Sequence, residues 1–282
     1  MKSIELCSEC DSPIQPTGVL CEVCQAPIGF PNVRRAIRED DALDKRYKLE
    51  TASVKARGIE DVALKFQQAV DGANVVIARS VIELLSIVKN ENLLISTFYQ
   101  QVASRARMAE NNAFDPKRAA IESLVHPFYY ENIHYAALSL DNTGVTYYGE
   151  AHIKLKNKFI SSRTSCFEGN AFNLVKKLEL VMGDDFPEGY RSTWEQKGKL
   201  AVCKYHANLK KDACEVKDFQ NILLVDQANA DFIEAHIFGN IHVKCVDSVT
   251  LLPNASQGAK VMFEAHRGSL AKMNIIVDIR KS

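Results

Sequence analysis

The polar and apolar positions of residues 231–244, Asp-Phe-Ile-Glu-Ala-His-Ile-Phe-Gly-Asn-Ile-His-Val-Lys, predict a β-strand with one carboxylate inside an apolar run. Side chains in a strand repeat every second residue, so Phe232, Glu234 and His236 share one face. Ile233, Ala235 and Ile237 take the other. A buried acid is expensive to keep charged, and such groups gather at functional sites. The same pattern also fits an edge strand with Glu234 turned to solvent.

Other periodicities mark the remaining elements. Residues 31–58 are dense in charge (Arg34, Arg35, Arg38, Glu39, Asp40, Asp41, Asp44, Lys45, Arg46), which reads as one or two solvated helices. Val62, Leu64, Phe66 and Val70 predict an amphipathic helix over 59–70, broken by Asp71-Gly72. Residues 73–80 read as a β-branched strand ending at Arg79. Ser80 and Glu83 then form a capping-box pair for a helix over 81–89. Leu93–Val102 reads as a second strand, and 103–117, with Arg105, Arg107, Asn111 and Asn112, as a loop. Pro116 opens a short helix. Residues 135–140 and 152–156 read as strands, 173–182 as a helix, and 200–205 as a strand. Residues 222–225 fit a strand or a helix end, and 261–266 and 273–279 look like closing strands. The pattern is α+β with a mixed, mainly antiparallel sheet. It lacks the glycine-rich fingerprints of Rossmann and P-loop nucleotide sites.

The 282 residues carry no net charge, 46% hydrophobic and 25% charged residues, so no global basic field argues for nucleic acid. No apolar run is long enough for a membrane span, and the start lacks a signal-peptide stretch; the expected compartment is the cytoplasm. There Cys166, Cys203, Cys214 and Cys245 are most simply small core residues.

Cys7-Ser-Glu-Cys10 and Cys21-Glu-Val-Cys24 are different. Two Cys-x-x-Cys turns can present four thiolates to one ion, the tetrahedral sulfur set that zinc prefers. A closed site of this kind leaves no position for substrate, so the expected zinc is structural. The ribbon is either a staple for about thirty residues or a module that touches RNA or protein.

Tyr135-Ala-Ala-Leu-Ser-Leu, then Tyr148-Gly-Glu-Ala-His-Ile-Lys-Leu-Lys, Arg163-Thr-Ser-Cys-Phe and Glu234-Ala-His-Ile-Phe-Gly occur in an order that resembles a bacterial domain family of unknown function, DUF3626. That family in turn is similar to ADP-ribosyltransferases, and the likeness covers roughly residues 70–252. The resemblance implies a split sheet of ADP-ribosyltransferase type over 71–282, after a zinc ribbon (1–30) and a charged helical linker (31–70). It implies NAD as substrate and Glu234 as the catalytic acid. Arg79 ends the strand that carries Arg or His in the transferases and would hold the pyrophosphate side. Ser96-Thr97-Phe98-Tyr99-Gln100-Gln101 stands at the Ser-Thr-Ser-like strand, but with glutamines where hydroxyls are expected. Tyr99, Gln101 and Tyr135 would line the nicotinamide. His236 corresponds loosely to target-selecting positions.

Breaking the nicotinamide–ribose bond builds positive charge on the sugar, which a carboxylate at position 234 would stabilise while holding the 2′-hydroxyl. Arg118 would add a phosphate contact or pair with Glu122, its i+4 neighbour. Arg79 also fits a surface arginine, and Tyr99 and Tyr135 also fit aromatic core. Residues 163–165 fit a wall of the site or a plain turn, and His134 and His152 fit core or surface. The implied function is transfer of ADP-ribose to RNA, DNA or protein, as in bacterial toxins restrained by antitoxins or in phage-defence effectors. A non-enzymatic zinc-ribbon adaptor and an NAD glycohydrolase are the alternatives.

Overall fold

The computed structural model describes residues 4–89, 94–105, 115–181, 183–213, 215–224 and 231–280, without the side chains of 115 and 116. The readings made for Leu93, Arg107, Asn111, Asn112, Met182, Cys214 and Val225 lie outside the described residues.

After the ribbon come helices α1 (Pro31–Arg38), α2 (Asp40–Ala56) and α3 (Glu60–Asp71), then strand β1 (Asn74–Arg79) and α4 (Val81–Lys89). The middle of the chain holds β2 (Leu94–Ile95), α5 (Phe98–Ala103), α6 (Asp115–Val125), β3 (Ile133–Ser139), β4 (Ala151–Leu155), α7 (Asn157–Ile160) and β5 (Thr164–Phe167). It continues with α8 (Ala171–Lys177), β6 (Arg191–Thr193), α9 (Lys197–Tyr205) and α10 (Val216–Leu223). It closes with β7 (Glu234–Phe238), β8 (Ile241–His242), β9 (Val246–Leu251), α11 (Gln257–Lys272) and β10 (Ile276–Ile279).

The fold is α+β, as the periodicities imply. Eight strands form one continuous sheet in the order β10-β9-β4-β1-β3-β7-β5-β6, and β2 pairs with β8 separately. The sheet is antiparallel except for the β9–β10 pair. It is therefore mixed and mainly antiparallel, but not split as expected: β7 hydrogen-bonds to β3 on one side and β5 on the other, joining the two halves.

Three expected strands are corrected. Beyond β2, residues 98–103 turn helical because Thr97 caps α5: Gln100 N–H donates to Thr97 Oγ1 (3.2 Å) and Thr97 N–H to Gln100 Oε1 (3.0 Å). This reciprocal cap satisfies two donors that a strand would send sideways. Residues 200–205 belong to α9, whose Leu200, Ala201, Val202, Cys203 and Tyr205 are all buried. A helix apolar on every side has no periodic signature to separate it from a buried strand. Residues 261–266 lie in α11, capped by Ser256 Oγ on Ala259 N–H (3.1 Å), with Phe263 and Leu270 inward two turns apart. The cap foreseen at Ser80 and Glu83 is formed.

The sheet has two unlike faces. Opposed residues in an antiparallel ladder point the same way. Val75, Ile77, Leu138, Ile153, Ala235, Ile237 and Val249 thus share an apolar face, buried against side chains such as Phe66, Leu84, Leu200 and Phe263. Tyr135, Ser165, Phe167, Arg191, Glu234 and His236 share the other. All but the partly exposed Tyr135 are buried. This second face carries the buried polar groups. Among the described residues, no helix is long and apolar enough to cross a membrane.

The charged stretch 31–70 is helical, and it is more than a bridge. α1 packs on β5 and β6, and α2 and α3 pack on α9. The Asn32 amide donates to the carbonyls of Arg163 (3.1 Å) and His236 (2.9 Å) and to Ser165 Oγ (3.2 Å), pinning α1 to the second face.

Gly149 brings the start of β4 against the end of β1. Its φ is +141°, and a Cβ there would overlap the Arg79 carbonyl group. Both strain and clash oppose any side chain. Gly149→Ala is expected to lower unfolding stability by on the order of 3 kcal/mol, read as a fall in the urea midpoint at unchanged slope.

Candidate active site

Glu234 opens β7 and is 4% exposed. Two donors fix its carboxyl group. His236, two residues along the same face, reaches Glu234 Oε2 through Nε2 at 2.9 Å. Asn170 Nδ2 reaches Oε1 at 3.2 Å. The orientation of the Asn170 amide is itself determined, because its Oδ1 caps α8 by accepting from the N–H groups of Phe172 (3.0 Å) and Asn173 (3.4 Å). Only the NH2 side remains for Glu234.

A second imidazole stands behind the first. His126 Nε2 lies 2.7 Å from His236 Nδ1. Burial pushes both imidazoles below their ordinary range, favouring one proton on each ring. With the His236 proton on Nε2 for Glu234, Nδ1 accepts from His126 Nε2–H, an assignment that follows from the network. His126 Nδ1 then keeps a lone pair that no described residue meets. Tyr135, Phe167 and His126 hold the His236 ring at centroid distances of 4.9, 5.3 and 4.7 Å.

A second carboxyl group comes from α6. Glu122, 2% exposed, accepts from Tyr99 Oη (2.9 Å) and from Arg118 Nη1 (2.7 Å). Burial pushes its carboxyl up to about 7; Arg118 and Tyr99 oppose the shift, and Glu234 adds to it. The Tyr135 hydroxyl is buried with no hydrogen-bond partner among the described residues. Burial, then Glu122, then Glu234 push that phenol well above its ordinary range, so it lies in the field of both acids. The Tyr148 hydroxyl is 3.4 Å from Asn170 Nδ2, and it feels both Glu234 and Arg118. Buried groups (Glu234, Glu122, the Tyr135 hydroxyl) thus form a floor, and the more exposed Arg118, Tyr99 and Tyr148 stand around it.

The sequence named Glu234, Tyr99, Tyr135 and Arg118, and the structure brings these four together. Arg118 takes the partner that its i+4 spacing offered, Glu122. Arg79 is a correction. It pairs with Ala151 at the end of β1, so its side chain leaves from the apolar face, opposite Glu234. There it joins burial in pushing His134 down to about 3. Strand parity decides this: β1, β3 and β7 are in register, and an odd offset separates Arg79 from the face of Tyr135 and Glu234. Gln101 lies on α5, not on a strand, and donates to the Ser96 carbonyl (3.3 Å). Arg163 caps the turn after β7 by donating to the carbonyls of Phe238 (2.7 Å) and Asn240 (2.9 Å), so 163–165 is turn and strand. His134 and His152 are buried, and His152 Nδ1 accepts from Gly144 N–H (2.9 Å). Cys166 and Cys203 are core thiols, both pushed up to about 12 by burial.

Asn170, His126 and Tyr148 were not singled out by the sequence. Gly169-Asn170 ahead of an apolar helix is a readable cap signal, but nothing local says where its spare NH2 points. Arg191 was also missed: it is 1% exposed, donates to Glu39 Oε1 (2.8 Å), and lies over the Phe167 ring that holds His236.

The second candidate site is the cysteine cluster. Cys7, Cys10, Cys21 and Cys24 place their Sγ atoms within 4.8 Å of one another. Cys7–Cys24 and Cys10–Cys21 are 3.7 and 3.6 Å apart. A tetrahedron with Zn–S bonds of about 2.3 Å has edges of about 3.8 Å, so the four thiols fit zinc. The two knuckles are built alike. Asp11 N–H and Gln25 N–H return to the carbonyls of Cys7 and Cys21, with positive φ at Asp11 (54°) and Gln25 (60°). Arg34 of α1 docks the ribbon: Nε donates to Glu5 (3.0 Å), and Nη1 donates to the carbonyls of Gly18 (2.7 Å) and Gly29 (2.8 Å). The sheet and its core are complete without these residues. A chelator is therefore expected to strip the zinc and expose the ribbon amides to hydrogen exchange while the sheet stays protected. Loss of protection throughout would contradict this.

Searches against protein-family models and curated proteins found no match to this sequence.

Proposed function

We propose that the protein transfers ADP-ribose from NAD to a macromolecular target, with Glu234 at the reacting sugar. The observation that carries this reading is the fixed, buried Glu234 carboxyl group, held at both oxygens by Asn170 and by a histidine that aromatic rings pack against. Cleavage of a glycosidic bond to nicotinamide passes through an oxocarbenium-like sugar. A preoriented carboxylate in a poorly solvated site stabilises that charge without having to reorganise. The His126–His236 pair keeps the carboxyl group from rotating away. Arg118 replaces Arg79 as the cation for the anionic part of the substrate, and the Tyr99 and Tyr135 rings offer stacking surfaces for nicotinamide. The zinc ribbon, docked on α1, contributes to holding RNA, DNA or protein.

Such chemistry fits a toxin or phage-defence effector acting in the cytoplasm, kept in check by an antitoxin where one is encoded. The test is incubation of the full chain with labelled NAD and cell extract. Label joined to RNA, DNA or protein, and lost by at least about 100-fold in Glu234→Gln, is the expected result. Free ADP-ribose alone reassigns the protein as an NAD glycohydrolase. No NAD consumption by either form leaves the zinc-ribbon adaptor as the better reading.

A further inference from the structure

The site holds two acids in unlike settings. Glu234 is fixed by His236 and Asn170, and its geometry suits a group that stays in place against a sugar. Glu122 is fixed by a phenol and a guanidinium, and it lies one turn before His126, which meets His236. The Tyr135 hydroxyl lies in the field of both and has no partner among the described residues. A buried hydroxyl that no described residue meets costs on the order of 1–3 kcal/mol, which makes it a ready partner for a polar group of the substrate. Two acids held by unlike partners fit a division of roles between a fixed stabiliser and a base.

The geometry points to Glu122 as the proton acceptor for the attacking group, an assignment that rests on the reading of Glu234 given above. An oxygen or nitrogen of the target forms a bond to C1′ of the ribose. The C1′–nicotinamide bond breaks, and its electron pair leaves on nicotinamide, which departs neutral. The proton of the attacking group passes to the Glu122 carboxylate, while Glu234 keeps its place beside the sugar through its bonds to His236 and Asn170. Arg118 and Tyr99 position Glu122 and favour its ionised form. An acid with an ordinary pKa would be a weak base here, and burial corrects this by pushing the Glu122 carboxyl up to about 7.

The test compares wild type, Glu122→Gln, Tyr99→Phe and Glu234→Gln as full chains, reading NAD affinity by calorimetry and NAD turnover from about pH 5 to about pH 9. Wild-type turnover is expected to fall on the acid side of about pH 7, where Glu122 takes up its own proton. Glu122→Gln is expected to bind NAD within about twofold of wild type, to turn over about 100-fold more slowly, and to lose the acid limb. Tyr99→Phe removes a donor that favours the ionised acid, so its limb moves to higher pH. Unchanged rate and limb in Glu122→Gln, with Glu234→Gln inactive, would overturn the assignment and leave the reading of Glu234 standing. A wild type that neither binds nor consumes NAD would end that reading, and the assignment with it. Should Glu122→Gln fail to fold, Tyr99→Phe decides alone: a limb that does not move overturns the proposal.

Discussion

The structure depends on how one interior carboxyl group is accommodated. Holding an ion away from water costs several kcal/mol even after relaxation. Hydrogen bonds to a charged group return about 1.5–3 kcal/mol each, so the two donors on Glu234 are of the right size to offset that cost. Neither donor is independent. His236 is oriented by His126 and packed by Tyr135 and Phe167, and Asn170 is oriented by its own capping bonds. The arrangement places the desolvated acid in a cage whose members are fixed by other duties.

The same constraint explains why the sheet has unlike faces. The apolar face can be covered by any helices with enough buried surface, and α3, α4, α9 and α11 contribute to it. The polar face needs partners with specific donors. α1 supplies Asn32, which ties β5 to β7, and Glu39 just beyond α1 meets Arg191. Arg34 carries the tie onward to the ribbon carbonyls. The charges that look like a solvated linker in the sequence are, in part, interior fastenings. Their long side chains let α1 satisfy backbone carbonyls that no neighbouring strand can reach.

What could be read in advance follows from the range of each signal. Caps and knuckles are local, so the Ser80–Glu83 pair and the cluster of four cysteines were legible. The capping box at Thr97 and Gln100 was equally local, but the β-rich run around it overshadowed the signal. The apolar segment of α9 gave no period, because helices cover it on several sides. Arg79 failed for another reason: the strand was right and its end was right, but its face depends on a register set by β3 and β4.

The order of residues alone determined that Glu234 and His236 would point the same way, because pleating is a property of the backbone. It likewise determined that Cys7, Cys10, Cys21 and Cys24 could meet around one ion, since each turn closes over four residues. Only the tertiary structure decided what faces Glu234. Asn170 comes from 64 residues away, and His126 lies 110 residues from the histidine it supports. Contacts over such separations arise from strand order and helix placement, which are fixed by packing the whole sheet and leave no local mark in the chain.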